Sequence, residues 1–328
     1  MHVQIAGIGA AVPSQLINNA TLISRYQLDV TPEWIVANTG IHHRHWLEDG
    51  RTTSDLATDA ARAALAHAGV RADQIDRLIL ATVSPDMPTP STASRVLLKL
   101  GARCPAYDLT ATCAGFLYGL EQGSMAVRCG DRRVLVIAAE ARSRFINRHD
   151  HRAAVLFSDG AAAVVLEPGE APGVLGMSLG AEGMELLGAY IPAGGAALPT
   201  SAATVADGAH WLHVDGRREI FAHFLRLVDA SSHEALRRAG LGMSDVDLLV
   251  CHQGNARLTE AIAARLGVPP AKTVDVIAHH GNVSGASIPL ALADLHAAGA
   301  LRPGQVLLLT AAGAGAAFGA VVLRWTAR

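Results

Sequence analysis

The chain has 328 residues, of which 50% are hydrophobic, 17% charged and 4% aromatic. This balance excludes a disordered chain, and 32 Gly and 14 Pro without a period exclude collagen and low complexity. Lys and Arg number 27 against 29 Asp and Glu, a formal net charge of −2, with neither a nucleic-acid-binding basic stripe nor an acidic tail.

Short apolar runs alternate with helical patterns. Residues 3–8 read as a strand, and 55–68 as a helix with Ala and Leu at three- and four-residue spacing. A strand at 78–83, a helix at 91–100 and a short strand at 106–109 follow. A long helix opens near Cys113 and runs to about residue 128, and a strand covers 134–139. Such alternation predicts an α/β protein with buried sheets. The opening MHVQIAGIGAAVP lacks the basic start and long apolar stretch of a signal peptide. No uninterrupted apolar run reaches the roughly 18 residues of a membrane helix. Cys104, Cys113, Cys129 and Cys251 form no CxxC pair and no zinc spacing, which reads as reduced thiols in a cytosolic protein.

The second half repeats the first. ALAHAGVRADQID at 64–76 and ALRRAGLGMSDVD at 235–247 share Ala, Leu, Ala, Gly and Asp at a constant offset of 171. Each is a helix end, a glycine cap and a lead into an apolar strand. VLVIAAE at 134–140 then parallels VLLLTAA at 306–312, and AAAVVL at 161–166 parallels FGAVVL at 318–323. Three matches in order indicate a duplication, far too long in period for a solenoid. The boundary falls within 167–180, where Pro and Gly collect, and divides the chain into halves 1–172 and 173–328. Two such halves packed together place a site between them.

Four segments carry candidate chemistry. Cys113, in DLTATCAGFLYGL, follows a strand and starts a helix, where unpaired amides and the positive dipole end favour a thiolate. The plain alternative is a small buried hydrophobe among Ala and Gly. His252, in LLVCHQGNARL, emerges at a strand's C-terminal end, where α/β sheets bind ligands, and by the duplication it replaces Ala81. Asn282, in HHGNVSGASIPLAL, falls within a residue or two of the position equivalent to the Cys113 turn. Finally, TAAGAGAAFGAVVL places Gly313 and Gly315 between two strands, a turn whose amides can face an oxyanion.

Together these segments resemble β-ketoacyl-acyl carrier protein synthase III, of the thiolase-like superfamily, over nearly the whole chain. TPEWIVANTGIHHRH, ATCAGFLYGL, FSDGAAAVVL, HQGNARL, HHGNVSGASIPLAL and AAGAGAAFGAVVLRW are similar to that family's ordered motifs. The resemblance implies a five-layered α-β-α-β-α thiolase-like fold. It also implies an acyl-Cys113 intermediate condensed with a malonyl thioester after decarboxylation. Cys113, His252 and Asn282 would be catalytic, and the Cys113 and Ala314 amides would form the oxyanion hole. Trp34, Arg152 and Arg257 would bind coenzyme A or a carrier protein, and Thr89 and Phe157 would line the acyl pocket. Thr89 would reach a partner's pocket in a homodimer. Acyl-CoA or acyl carrier protein would be substrate, with no metal or redox cofactor and no nucleic-acid or membrane partner, in the cytoplasm.

Some positions depart from the family. Asn38 and Ala222 stand where basic residues are common, Ala314 replaces the middle glycine of a triplet, and Thr89 replaces a bulky pocket residue. His280, two residues from Asn282, leaves a Cys-His-His arrangement open. Other open readings are an acyltransferase that loads Cys113 without decarboxylation and a noncatalytic partner subunit. A metal centre at His42, His43 and His45, or at His149 and His151, is the least supported, because no carboxylate or Cys spacing accompanies those residues.

Overall fold

A computed structural model describes residues 1–183, 188–216 and 218–327. The first sheet uses β1 (His2–Ala11), β2 (Arg77–Ala81), β3 (Ala106–Leu109), β4 (Val134–Ala141) and β5 (Asp159–Gly169), in the order β1-β5-β4-β2-β3. The second uses β6 (Val174–Ala181), β7 (Leu248–Cys251), β8 (Val306–Gly313) and β9 (Ala317–Arg324), in the order β6-β9-β8-β7. A parallel bridge from Leu249 to Thr273 occupies the place that β3 has in the first sheet. Both sheets are mixed: β2 with β4, and β7 with β8, are parallel, whereas β4 with β5, and β8 with β9, are antiparallel.

Each half has three helices at matching places: α1 (Thr53–Ala68), α2 (Thr92–Leu100) and α3 (Gly115–Arg128), then α4 (Arg218–Ala239), α5 (Ala256–Leu266) and α6 (Ser287–Ala297). The duplicated glycines do the same work twice. Gly69 (φ 66°) and Gly240 (φ 69°) end α1 and α4 in the left-handed conformation, and a one-turn 3-10 helix follows each. The start of α1 is fixed by a capping box in which the Thr52 amide donates to the Asp55 carboxylate at 2.9 Å.

Packing gives five layers. The alanine face of α1 covers the outer side of the first sheet, and α4 covers the outer side of the second. Between the sheets lie α3 and α6 within one continuous apolar cluster. Ile288, Leu290 and Leu292 of α6 are fully buried there, each contributing roughly 1.5–3 kcal/mol. α3 lies close on its sheet because Gly119 has no Cβ, which would stand 2.7 Å from Val136. Both central helices start at the same end of the molecule, where the strands β2 and β7 also finish.

Sequence and structure differ mainly at element ends. The strand expected at 78–83 stops at Ala81: the Thr82 amide makes the last rung, to the Leu109 carbonyl, and the Val83 amide turns to the Glu140 carboxylate at 3.3 Å. The helix expected from Cys113 begins with a 3-10 turn, Thr112–Ala114, before the α-helix proper.

Candidate active site

Cys113 sits in the turn that feeds α3. Thr112 before it holds φ at 45°, and its hydroxyl donates to the Ala314 carbonyl at 3.0 Å, tying the turn to the second half. The Cys113 Sγ lies 3.8 Å from the Ser284 hydroxyl. Its thiol is not the thiolate that a helix start favours. Burial pushes it up to about 11; Ser284 and Arg142 pull the other way and Glu140 adds to the rise. Desolvation of the anion here outweighs the helix terminus.

His252 follows β7, and its amide donates to the Thr310 carbonyl at 2.9 Å. Its Nδ1 is 2.7 Å from the Ser287 hydroxyl in the first turn of α6. Burial drives the imidazole down to about 4, opposed by a backbone hydrogen bond with Ser284. At neutral pH the pair is therefore an uncharged thiol and an uncharged imidazole. Gly254 leaves room for the ring: a Cβ there would stand 2.8 Å from Nε2.

Asn282 is stitched to the first half through its backbone. Its amide donates to the Leu156 carbonyl at 2.9 Å, and its carbonyl accepts from the Ser158 amide at 3.0 Å. Its Oδ1 accepts from the Ser284 amide at 2.9 Å, which makes Nδ2 the donor; Nδ2 reaches the Gly254 carbonyl at only 3.3 Å. His280 pairs with Asp294 at 2.6 Å and does not line the cavity, so Asn282 is the third polar group there.

All three side chains line one cavity of about 580 Å3, together with Phe157, Gly313 and Ala314. Gly313 touches the nucleophile's turn so closely that a Cβ would stand 2.5 Å from Thr112 Oγ1 and 2.8 Å from the Cys113 nitrogen. The positive φ of this turn belongs to Gly315 (125°), so alanine at 314 is accommodated without strain.

The binding candidates divide. Arg257 and Asn38 line the cavity, with the Arg257 guanidinium donating to the Ala37 carbonyl at 2.7 Å. Trp34 is 42% exposed on the helix Pro32–Thr39 and outside the cavity lining. The ring against it is His151, edge-on at 5.8 Å, whereas Arg152 pairs with Asp150 at 2.9 Å and is solvent-exposed. Thr89 is exposed and lies outside the cavity of its own chain. Of the histidines considered as metal ligands, His42 stands against His43, His45 beside His280, His149 on Tyr26 and His151 on Trp34.

Three groups escaped the sequence reading. Ser287 orients His252. Glu140, at the end of β4, is buried and accepts from the Ser84 hydroxyl at 2.5 Å; burial raises it to about 7. Arg142 is buried and lines the cavity. The duplication held the signal for the last two, since 134–140 parallels 306–312 and sets Glu140 against Ala312. Extended two residues, it sets Arg142 against Ala314.

The duplicated five-layered architecture is the thiolase-like fold. The structure superposes on 3-oxoacyl-(acyl carrier protein) synthase III from Pseudomonas aeruginosa PAO1 with a TM-score of 0.90 at 34% identity, covering 99% of this chain and 98% of that one. It matches the priming β-ketosynthase of the R1128 polyketide biosynthetic pathway with a TM-score of 0.90 at 31% identity, over 99% and 97% of the two chains. The family model for 3-oxoacyl-[acyl-carrier-protein (ACP)] synthase III matches residues 107–183, and the model for its C-terminal region matches 236–325. The β-ketoacyl-[acyl-carrier-protein] synthase III of Symbiobacterium thermophilum is 42% identical over 98% of both chains. Synthase III 3 of Streptomyces coelicolor is 43% identical over 98% of this chain and 97% of its own. The chain belongs to the β-ketoacyl-[acyl-carrier-protein] synthase III family, whose members are acyl-transferring enzymes. No helix among the described residues is long and apolar enough to cross a membrane.

Proposed function

We propose that this chain performs decarboxylative Claisen condensation, in fatty-acid initiation or in priming a related pathway. The observation that carries the reading is that Cys113, His252 and Asn282, contributed by different halves, line one cavity. The names of the relatives support the same reaction.

Cys113 attacks the carbonyl of an acyl thioester and keeps the acyl group, splitting the transfer into two easier steps. A malonyl thioester then enters and loses carbon dioxide. His252 and the Asn282 amide donate to its thioester carbonyl as the enolate develops, stabilising charge that exists only in the transition state. A neutral imidazole suits this role, because it retains one N–H to donate. The carbanion attacks the acyl-Cys113 carbonyl, and the Cys113 and Ala314 amides receive the oxyanion. Charge balance needs no metal and no redox group. The raised thiol requires a proton acceptor during attack, and the departing thiolate of the donor serves.

Trp34 and Arg257 flank the entry of the pantetheine arm, with His151 beside Trp34 where Arg152 was expected. The working unit is a cytoplasmic homodimer in which Thr89 faces the partner's pocket, and the halves 1–172 and 173–328 each carry part of the site. Phe157 is a wall of the acyl pocket.

The test is intact-protein mass spectrometry after incubation with acyl-CoA. The wild type gains the acyl mass and Cys113→Ala gains none; a full adduct on the variant removes the nucleophile assignment. Carbon dioxide release from malonyl thioester separates condensation from simple acyl transfer.

A further inference from the structure

The acyl-Cys113 reading leaves one buried charge in the cavity wall without a task. Arg142 is only 5% exposed and lines the cavity with Cys113, Val83 and Phe157. Its guanidinium carbon stands 5.2 Å from the centre of the Phe157 ring. A guanidinium carries five N–H donors. Here Nη1 reaches the Val83 carbonyl at a long 3.4 Å, and Nε is buried with no partner.

Glu140, two residues away, does not neutralise it by contact. The Glu140 oxygens already accept from the Ser84 hydroxyl at 2.5 Å and the Val83 amide at 3.3 Å, and its charge acts on Arg142 only through space. A buried cation with so few acceptors is unfavourable unless the cavity's occupant supplies them. The planar fork of a guanidinium matches a carboxylate in two parallel hydrogen bonds. The neighbours that share this wall, Phe157 and Val83, are apolar and offer no competing acceptor side chain.

Resting on the acyl-Cys113 reading, we propose that this pocket takes a short acyl group ending in a carboxylate, held by Arg142, rather than a plain aliphatic chain. In the loading step the Cys113 Sγ bonds to the donor's carbonyl carbon and the bond from that carbon to the donor's sulfur breaks. The thiol proton leaves with the donor sulfur as a free thiol, and the terminal carboxylate takes no part in the bond changes.

The experiment compares succinyl-CoA with butyryl-CoA, two four-carbon donors that differ at the far end, with acetyl-CoA as a loading control. No malonyl thioester is present, so a carboxylate acting in decarboxylation does not enter. Acylation rates are read by intact-protein mass spectrometry. The wild type loads succinyl at least about tenfold faster than butyryl, the size expected of a charged bidentate contact. Arg142→Leu reverses the preference, and Arg142→Lys keeps a smaller one. If Arg142→Leu fails to fold, the lowered ratio in Arg142→Lys decides. Wild type that loads butyryl as fast as succinyl overturns the proposal while a butyryl adduct leaves the acyl-Cys113 reading standing. A succinyl preference unchanged in either folded variant also overturns it. No adduct from any of the three donors overturns both readings.

Discussion

In the first half the backbone passes through Thr112 at φ 45° into the 3-10 turn Thr112–Ala114 and then α3; in the second it passes through Ser284 at φ 47° into Ser284–Ala286 and then α6. A left-handed conformation is uncommon at any residue but glycine, and most so at a β-branched one such as Thr112. The duplication therefore preserved a strained turn that no local preference favours. The next residue is where the halves diverge. The first half places Cys113 there, and the second places Gly285, where a Cβ would meet the Thr112 carbonyl at 2.9 Å. Only one of the two facing turns has room for a side chain, so one carries the thiol and the other supplies backbone. The polar groups are distributed the opposite way at the strand ends, with His252 in the second half where the first has Ala81. A shared scaffold thus became one asymmetric site through exchanges of small for functional residues at matched positions.

The largest way to break that asymmetry is to remove the second half's donors. His252→Ala and Asn282→Ala are expected to slow malonyl decarboxylation by about 10²–10³, the usual loss of an oxyanion donor, and acylation by less than about tenfold. The two half-reactions are measured separately, as carbon dioxide release and as acyl-enzyme mass. Equal losses in both overturn the division of labour between the halves.

The turns themselves give a smaller, paired test. Gly313→Ala pushes a methyl into Thr112 and the Cys113 amide, with contacts of 2.5 and 2.8 Å, and is expected to slow acylation by about 10²-fold. Gly285→Ala makes a single contact under 3 Å, at 2.9 Å with the Thr112 carbonyl, and is expected to slow it by about tenfold. A greater loss from Gly285→Ala than from Gly313→Ala means that the two turns are not used as described.

The repeat is what made the fold legible. Offsets of 171 in the helix-cap-strand segments anticipated matching sheets, and Cys113 and His252 stood out because each sits at an element end where its repeat partner, Gly285 or Ala81, is small; Asn282, expected within a residue or two of the Cys113 counterpart, lies three residues before it. Several features were not legible. The thiol's protonation depends on how much solvent the completed cavity removes, which no local sequence encodes; helix position alone pointed the wrong way. Facing residues across loops were also hidden: His151 and Arg152 are adjacent in sequence, and only the path of Asp150–His151 beside the helix Pro32–Thr39 decides which ring meets Trp34. Glu140 and Arg142 hide at the end of an otherwise apolar strand, and comparing the repeats residue by residue exposes them.

The smallest expected effect concerns that strand end and the tie between halves. Glu140 belongs to the first half, yet the Gly285 backbone of the second helps to hold its carboxylate ionised against the burial that raises it. Its folded value is about 7 against an ordinary 4.5. Between those values the folded chain binds more protons than the unfolded one, so Glu140's contribution is fully present below pH 4.5 and is lost as pH rises toward 7. His252 works in the opposite sense, its folded value of about 4 making stability rise with pH from about 4 to 6.5, whereas buried Asp159, raised to about 6, adds a fall of the same sign as Glu140's. Glu140→Gln stays neutral throughout and removes one slope. The slope of the urea midpoint against pH across 4.5–7.5 is therefore expected to be more positive in the variant than in the wild type. Gln keeps one acceptor oxygen and turns the other into a donor, so the variant weakens the contacts to Ser84 and the Val83 amide by the same amount at every pH, which displaces its curve without changing the slope. Parallel curves mean that the Glu140 carboxyl is already ionised in the folded chain, balanced by the Arg142 guanidinium, and the cation in the cavity wall would then have less need of an anionic occupant.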